Sequence, residues 1–197
     1  MLNISSLTYQ INNQILINNL NLSASNWLFF VFGPSGSGKT TLLKLISWIF
    51  KPTKWKITAP KIIWTFWQDY NLLPLDGKTN INLPFYFKKI QPNLNWKNKL
   101  INLFEIQNLL NKDIETLSAW EKERIWIVKA FIHQPNLVLL DETWNSLHQE
   151  LKEKLIKFVK DYSKNYIVFW ISHDYFITSQ LKSSNIIYNW NFTIYKS

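Results

Sequence analysis

The residues with the clearest chemistry form one short run. Gly33-Pro34-Ser35-Gly36-Ser37-Gly38-Lys39-Thr40 fits G-x-x-x-x-G-K-[ST] in full, and Thr41 follows it. Glycines at this spacing let successive backbone N–H groups curl around a phosphate, and a helix starting at Lys39 adds the positive end of its dipole. The Lys39 ammonium can reach the β- and γ-phosphates of a nucleotide, and the Thr40 hydroxyl can ligate Mg²⁺. A glycine-rich turn can also arise by chance. Here, though, an apolar run, Leu28–Phe32, precedes the loop and a helical pattern follows it. Nucleotide phosphate is therefore the expected ligand.

A second run, Asn136-Leu137-Val138-Leu139-Leu140-Asp141-Glu142, reads as an apolar strand that ends in two carboxylates. Asp141 is placed to hold Mg²⁺ through water and Glu142 to polarise an attacking water. Taken alone, the pair fits a surface cap on the next helix better; the phosphate loop gives it its chemical meaning. His173 follows another apolar run, where a lone histidine is more often structural than catalytic.

The elements that must hold these residues alternate between strand and helix, which argues for an α/β fold with a largely parallel sheet. Ile4–Tyr9 and Ile15–Leu22 read as strands joined at Asn12-Asn13. The first helix is expected from Lys39 to about Phe50, and Ile62–Trp67 reads as a second buried strand. From Asp69 to Leu117 the texture changes. Pro74, Pro84 and Pro92 break it up, and Leu100, Leu103, Phe104, Leu109 and Leu110 suggest helices. About 69–117 is thus expected to be an inserted helical subdomain, with 1–68 and about 118–197 forming the α/β core. Helices are expected near 118–133, 149–162 and 175–181, with strands at 137–140, 167–171 and about 186–190.

Composition narrows the classes. At 197 residues and 47% hydrophobic, the chain can bury a core. The absence of cysteine excludes a disulfide framework, a thiolate zinc site and a cysteine nucleophile. Apolar runs such as Trp27–Phe32 fall far short of the roughly 20 residues of a membrane span. The first ten residues lack the pattern of a signal peptide, so a cytoplasmic location is expected. A net charge of +9 invites a nucleic-acid reading. Yet Lys152, Lys154, Lys157, Lys160 and Lys164 share a helix with Leu151, Leu155, Phe158, Val159 and Tyr162. That is the pattern of a solvated lysine face over a buried one, and no nucleic-acid partner is expected.

Together these motifs resemble an ABC-type ATPase, the nucleotide-binding subunit of ABC transporters, over nearly the whole chain. The phosphate loop, Gln68, Leu117-Ser118, Asp141-Glu142 and Ile171-Ser172-His173-Asp174 follow the family's order. The resemblance implies a P-loop NTPase with a mostly parallel sheet, N-terminal antiparallel strands and an inserted helical subdomain. It implies that Gln68 joins Thr40 and Asp141 around Mg²⁺. It also implies that Tyr9, 24 residues before Gly33, stacks on adenine and that His173 contacts the γ-phosphate. Ser118 and Glu121 are implied to face ATP held by a second copy or homologous subunit, giving a head-to-tail dimer beneath membrane subunits on the inner face of the cell membrane. A tyrosine that merely fills a strand is an equal reading of Tyr9.

Departures from the family cluster at tryptophan. The signature, close to LSGGQ, here reads Leu117-Ser118-Ala119-Trp120-Glu121, and the D-loop aspartate falls at His148. Trp48, Trp55 and Trp64 also stand at usual glycine positions. Glycine occurs 4 times, where average usage predicts roughly 14, and tryptophan 11 times. Two accounts fit: UGA codons read with the wrong genetic code, or a divergent chain with a genuine Trp120. The expected function is ATP hydrolysis that powers a transporter. The alternatives are a nucleotide-binding module that hydrolyses poorly, with Trp120 and His148 spoiling the composite site, and a soluble ATPase of the same class not tied to transport.

Overall fold

The computed structural model describes residues 1–32, 34–51, 53–59, 63–66, 72–141, 147–172, 175–180, 185–188 and 191–193. Its chain divides into two compact units. The first comprises Met1–Trp67, Asn136–Thr143 and Leu155–Ser197, and the second Gln68–Pro135 and Trp144–Lys154.

The first unit opens with β1 (Leu2–Ile11) and β2 (Gln14–Ala24), an antiparallel hairpin. Its two-residue turn is Asn12-Asn13, with φ of 47° and 64°. Asparagine tolerates the left-handed conformation that such a turn demands at both positions. β4 (Lys54–Thr58) pairs antiparallel with β1 and completes a three-stranded sheet. A six-stranded sheet runs β5 (Ile63–Phe66), β6 (Leu137–Asp141), β7 (Ile167–Ile171), β3 (Trp27–Phe32), β8 (Asn185–Tyr188) and β9 (Asn191–Thr193). The first five are parallel and β9 is antiparallel. β6 and β7 are buried along their whole length, as their continuous apolar sequences require. In register on adjacent strands, Phe29 and Phe169 stack at 4.8 Å. Among the described residues β5 stands at one end of the sheet order.

Helix α1 (Lys39–Ile46) packs Leu42, Leu43, Leu45 and Ile46 into the core shared by both sheets. It stops one turn short of the expected end at Phe50, because the chain turns left-handed at Trp48. Later in the chain, α5 (Gln149–Ser163) and α6 (Tyr175–Gln180) follow β6 and β7.

The second unit contains α2 (Gly77–Lys88), α3 (Leu94–Leu103) and α4 (Ala119–Phe131). Two expectations are corrected here. Pro84 lies inside α2 rather than breaking it. It removes one helical N–H, the one that the Asn80 carbonyl would accept. And α4, assigned from sequence to the α/β core, belongs by its packing to the helical unit, where it meets α2 and α3.

Two residues hold the start of α2. Asn80 is fully buried; its amide donates to the carbonyls of Leu73, Leu75 and Asp76, and its Oδ1 accepts from the Leu73 N–H at 2.9 Å. Gly77 lets the Leu109 backbone come close: a Cβ there would lie 2.6 Å from the Leu109 carbonyl oxygen. A contact that short against backbone cannot be relieved by a rotamer change. Gly77→Ala is therefore expected to destabilise the unit by about 1–3 kcal/mol, read as a lower urea midpoint at unchanged slope.

His133 gives this unit a pH dependence. Lys88 Nζ donates to His133 Nε2 at 3.0 Å, and burial, aided by the nearby ammonium, pushes the imidazole down to about 3 from 6.5. The unfolded chain takes up a proton that the folded chain refuses, so stability rises with pH across this window and is lost as pH falls from 6.5 towards 3. His133→Gln should flatten this part of a stability-versus-pH profile. An unaltered slope would remove His133 from the account.

Candidate functional site

Strand β3 delivers the chain into the phosphate loop. Pro34, Ser35 and Gly36 are exposed, and the loop turns through Gly36 (φ 78°) and Gly38 (φ 89°). Both angles are left-handed, a region closed to most side chains, so the loop's shape depends on glycine at these two positions. Gly38 is the N-cap of α1, and its carbonyl accepts from the Leu42 N–H at 2.9 Å. Ser37 N–H donates to the Pro34 carbonyl at 3.2 Å. Lys39, Thr40 and Thr41 are the first three helical residues, whose N–H groups have no partner from the helix itself.

Lys39 is only 6% exposed, and its ammonium donates to the Pro34 carbonyl at 2.9 Å, folded back over its own loop. A side chain held this way is positioned for an anion seated in the loop. Tyr9, on β1, stacks on Phe50 with ring centroids 6.0 Å apart and planes 11° from parallel.

Asp141 ends β6 and is 4% exposed. Val31, Ile171 and Asp141 share one level across β3, β7 and β6. With strands about 4.8 Å apart, Asp141 sits at the same carboxyl edge of the sheet as the phosphate loop. Open α/β sheets bind their ligands at that edge. Thr40 and Asp141 offer hard oxygen donors, which suit Mg²⁺ held jointly by protein and nucleotide phosphate. Among the described residues no group of three or more His, Cys, Asp or Glu side chains could hold a metal without such help. Gly33, Gln68, Glu142 and His173 lie outside the described residues.

In the second unit, Ser118 caps α4 in a reciprocal box. Its Oγ accepts from the Glu121 N–H at 3.4 Å, while Glu121 Oε2 accepts from the Ser118 N–H at 2.9 Å. The Ser118 N–H and the Ser118 hydroxyl, which donates to the same Oε2 at 2.8 Å, hold the Glu121 carboxyl below its usual range, reinforced by Lys112 at 3.6 Å. Trp120 lies 5.8 Å from the His148 ring and 5.2 Å from the Arg124 guanidinium. Arg124 donates to the carbonyls of Phe104 and Glu105, and Glu105 pairs with Lys154 at 2.6 Å. No motif or periodicity in the sequence marks this network. Its one signal was that Arg124 is the sole arginine among 22 basic residues.

The model of the ABC transporter family matches residues 17–145, about two thirds of the chain. The chain belongs to the ABC transporter family. Among relatives, it is 28% identical over 195 residues to the spermidine/putrescine import ATP-binding protein PotA of Legionella pneumophila, covering 90% of this chain and 53% of that protein. It is 29% identical to the zinc import ATP-binding protein ZnuC of Psychrobacter arcticus, covering 82% of this chain and 68% of that one. The chain thus spans about half the length of its PotA relative. Its fold is that of a dimeric ATP-binding cassette solved in a post-hydrolysis state bound to ADP and Pi, at a TM-score of 0.80, 22% identity and full coverage of both chains. The P-loop NTPase architecture is thereby established, with its mostly parallel sheet and N-terminal antiparallel strands.

Proposed function

We propose that this chain is the ATP-binding and ATP-hydrolysing subunit of an ABC transporter, working as a head-to-tail dimer beneath membrane subunits. The observation that carries the reading is the phosphate loop. It has left-handed Gly36 and Gly38, Lys39 poised above it and α1 opening behind it, all at the carboxyl edge of the parallel sheet.

In this mechanism the loop N–H groups and the α1 N-terminus hold the β-phosphate. Lys39 leaves the Pro34 carbonyl and places its charge on the β- and γ-oxygens, where negative charge grows as the bond between them breaks. Thr40, Gln68 and Asp141 would hold Mg²⁺, which would supply positive charge against the phosphate oxygens. Glu142 orients the attacking water, and His173 contacts the γ-phosphate. Tyr9 exchanges its stack on Phe50 for one on adenine. Ser118 and Glu121 close the site of the opposite subunit.

No helix among the described residues is long and apolar enough to cross a membrane. A peripheral place on the inner face of the cell membrane, through separate membrane subunits, fits this reading. Both relatives are named for import, which favours an importer; their different cargoes agree with the membrane partner choosing the substrate. The direct test is steady-state phosphate release by the purified chain. Turnover per molecule should need Mg²⁺ and rise with protein concentration, because each site borrows residues from a second copy. Absence of both turnover and ATP binding overturns the proposal.

Trp120 sits in the first turn of α4, where the family's glycine lets backbone come up to phosphate. Trp120→Gly is expected to raise turnover at least about tenfold, in line with the 10²–10³ carried by a single oxyanion donor. Equal turnover in the two proteins would mean that the indole does not obstruct the composite site.

A further inference from the structure

The end of α1 is a Schellman turn. Trp48 N–H donates to the Leu45 carbonyl at 3.2 Å, and Ile49 N–H donates to the Lys44 carbonyl at 2.9 Å. This pair of bonds requires the residue between them and the helix to be left-handed, and Trp48 has φ 64°. Glycine takes this conformation without strain. Most other side chains are strained there, and a bulky one is a true outlier. The other side chains at positive φ among the described residues are Ser6, Asn12, Asn13, Asn19, Lys89, Glu105 and Gln134, all small, amide-bearing or unbranched and flexible. The indole at position 48 is the exception, and it stands 46% exposed.

Composition points the same way. The chain has 4 glycines, three of them within the phosphate loop, and 11 tryptophans. A deficit in one residue matched by an excess in another is what a single codon assigned to the wrong one of the two produces. UGA is such a codon, read as tryptophan in some genetic codes and as glycine in others.

We infer that position 48 is glycine in the functional protein, encoded by UGA and written here as tryptophan. Backbone conformation separates this position, at φ 64°, from Trp96, which lies within α3. The Trp96 indole Nε1 donates to the Phe131 carbonyl at 2.9 Å, and Lys99 Nζ lies 5.4 Å from its ring centroid. Trp96 is helical, glycine could make neither contact, and its codon should be UGG.

The experiment is a peptide mass map of the protein isolated from its source, covering positions 48 and 96, read beside the gene sequence. The expected result is a UGA codon with a glycine residue mass at 48, and a UGG codon with a tryptophan mass at 96. A tryptophan mass at 48 overturns the inference whatever the codon. Glycine at 96 overturns the geometric criterion that separates the two positions. Neither readout depends on ATP hydrolysis, so failure here leaves the proposed function standing, and the reverse also holds.

Discussion

Lys39→Ala lowers ATP affinity at least about a hundredfold. The replaced group is an ammonium, and a hydrogen bond to a charged partner contributes about 1.5–3 kcal/mol. Two such contacts, to the β- and γ-oxygens, exceed the roughly 2.7 kcal/mol that a hundredfold change in Kd represents. Lys39 is 6% exposed and bonded to the Pro34 carbonyl at 2.9 Å, so the ammonium is already ordered over the loop before nucleotide arrives. Little side-chain entropy then remains to be lost on binding, which raises the affinity that alanine forfeits. The measurement is titration calorimetry with ATP on both proteins, each checked first for a cooperative thermal transition. Lys39→Arg is a useful companion. It keeps the charge, but its planar fork does not match a point contact on two oxygens, so it should recover only part of the loss. Unchanged affinity in the alanine variant removes the phosphate loop from the binding site.

The parts of this protein written in short stretches of sequence were legible before the structure. Leu137–Leu140 and Ile167–Ile171 were legible as strands, and their lack of polar alternation has its reason in the structure, where both are covered on both faces. The phosphate loop was legible because Gly36 and Gly38 are each required locally, by their own φ. The end of α1 was not, since Ile49 and Phe50 extend the apolar period past a turn that two backbone bonds enforce. Pro84 was misread for a related reason: its cost is one missing helical bond, and the buried Asn80 bonds anchor the start of that helix. The placement of α4 depended on contacts distant in sequence, such as Arg124 reaching the Phe104 carbonyl. No periodicity carries that information.

Glu142→Gln separates binding from chemistry and carries the second large effect. Asp141 ends a fully buried strand at the carboxyl edge of the sheet, and Glu142 is the next residue in sequence. Glutamine preserves size and hydrogen bonding but cannot accept the proton of an attacking water, so turnover should fall by about 10²–10⁴-fold, the usual contribution of a general base. ATP binding should persist, because the residue acts on water and not on the phosphate cradle. Binding without hydrolysis holds the closed state, so the variant with ATP and Mg²⁺ should elute as a dimer in size-exclusion chromatography and revert to monomer with ADP. The second subunit's contribution enters at this point. Ser118 and Glu121 already satisfy one another at the start of α4, and the Glu121 carboxyl stays ionised. In the proposed dimer, closing on a phosphate would bring an anion beside that carboxylate, with the Trp120 indole one residue away. If Glu142→Gln binds ATP but stays monomeric, while Glu142→Gln combined with Trp120→Gly dimerises, the obstruction lies at Trp120 and the phosphate loop is sound. If both stay monomeric with ATP bound, the chain is a nucleotide-binding module that does not close on itself, and the head-to-tail proposal fails for the homodimer.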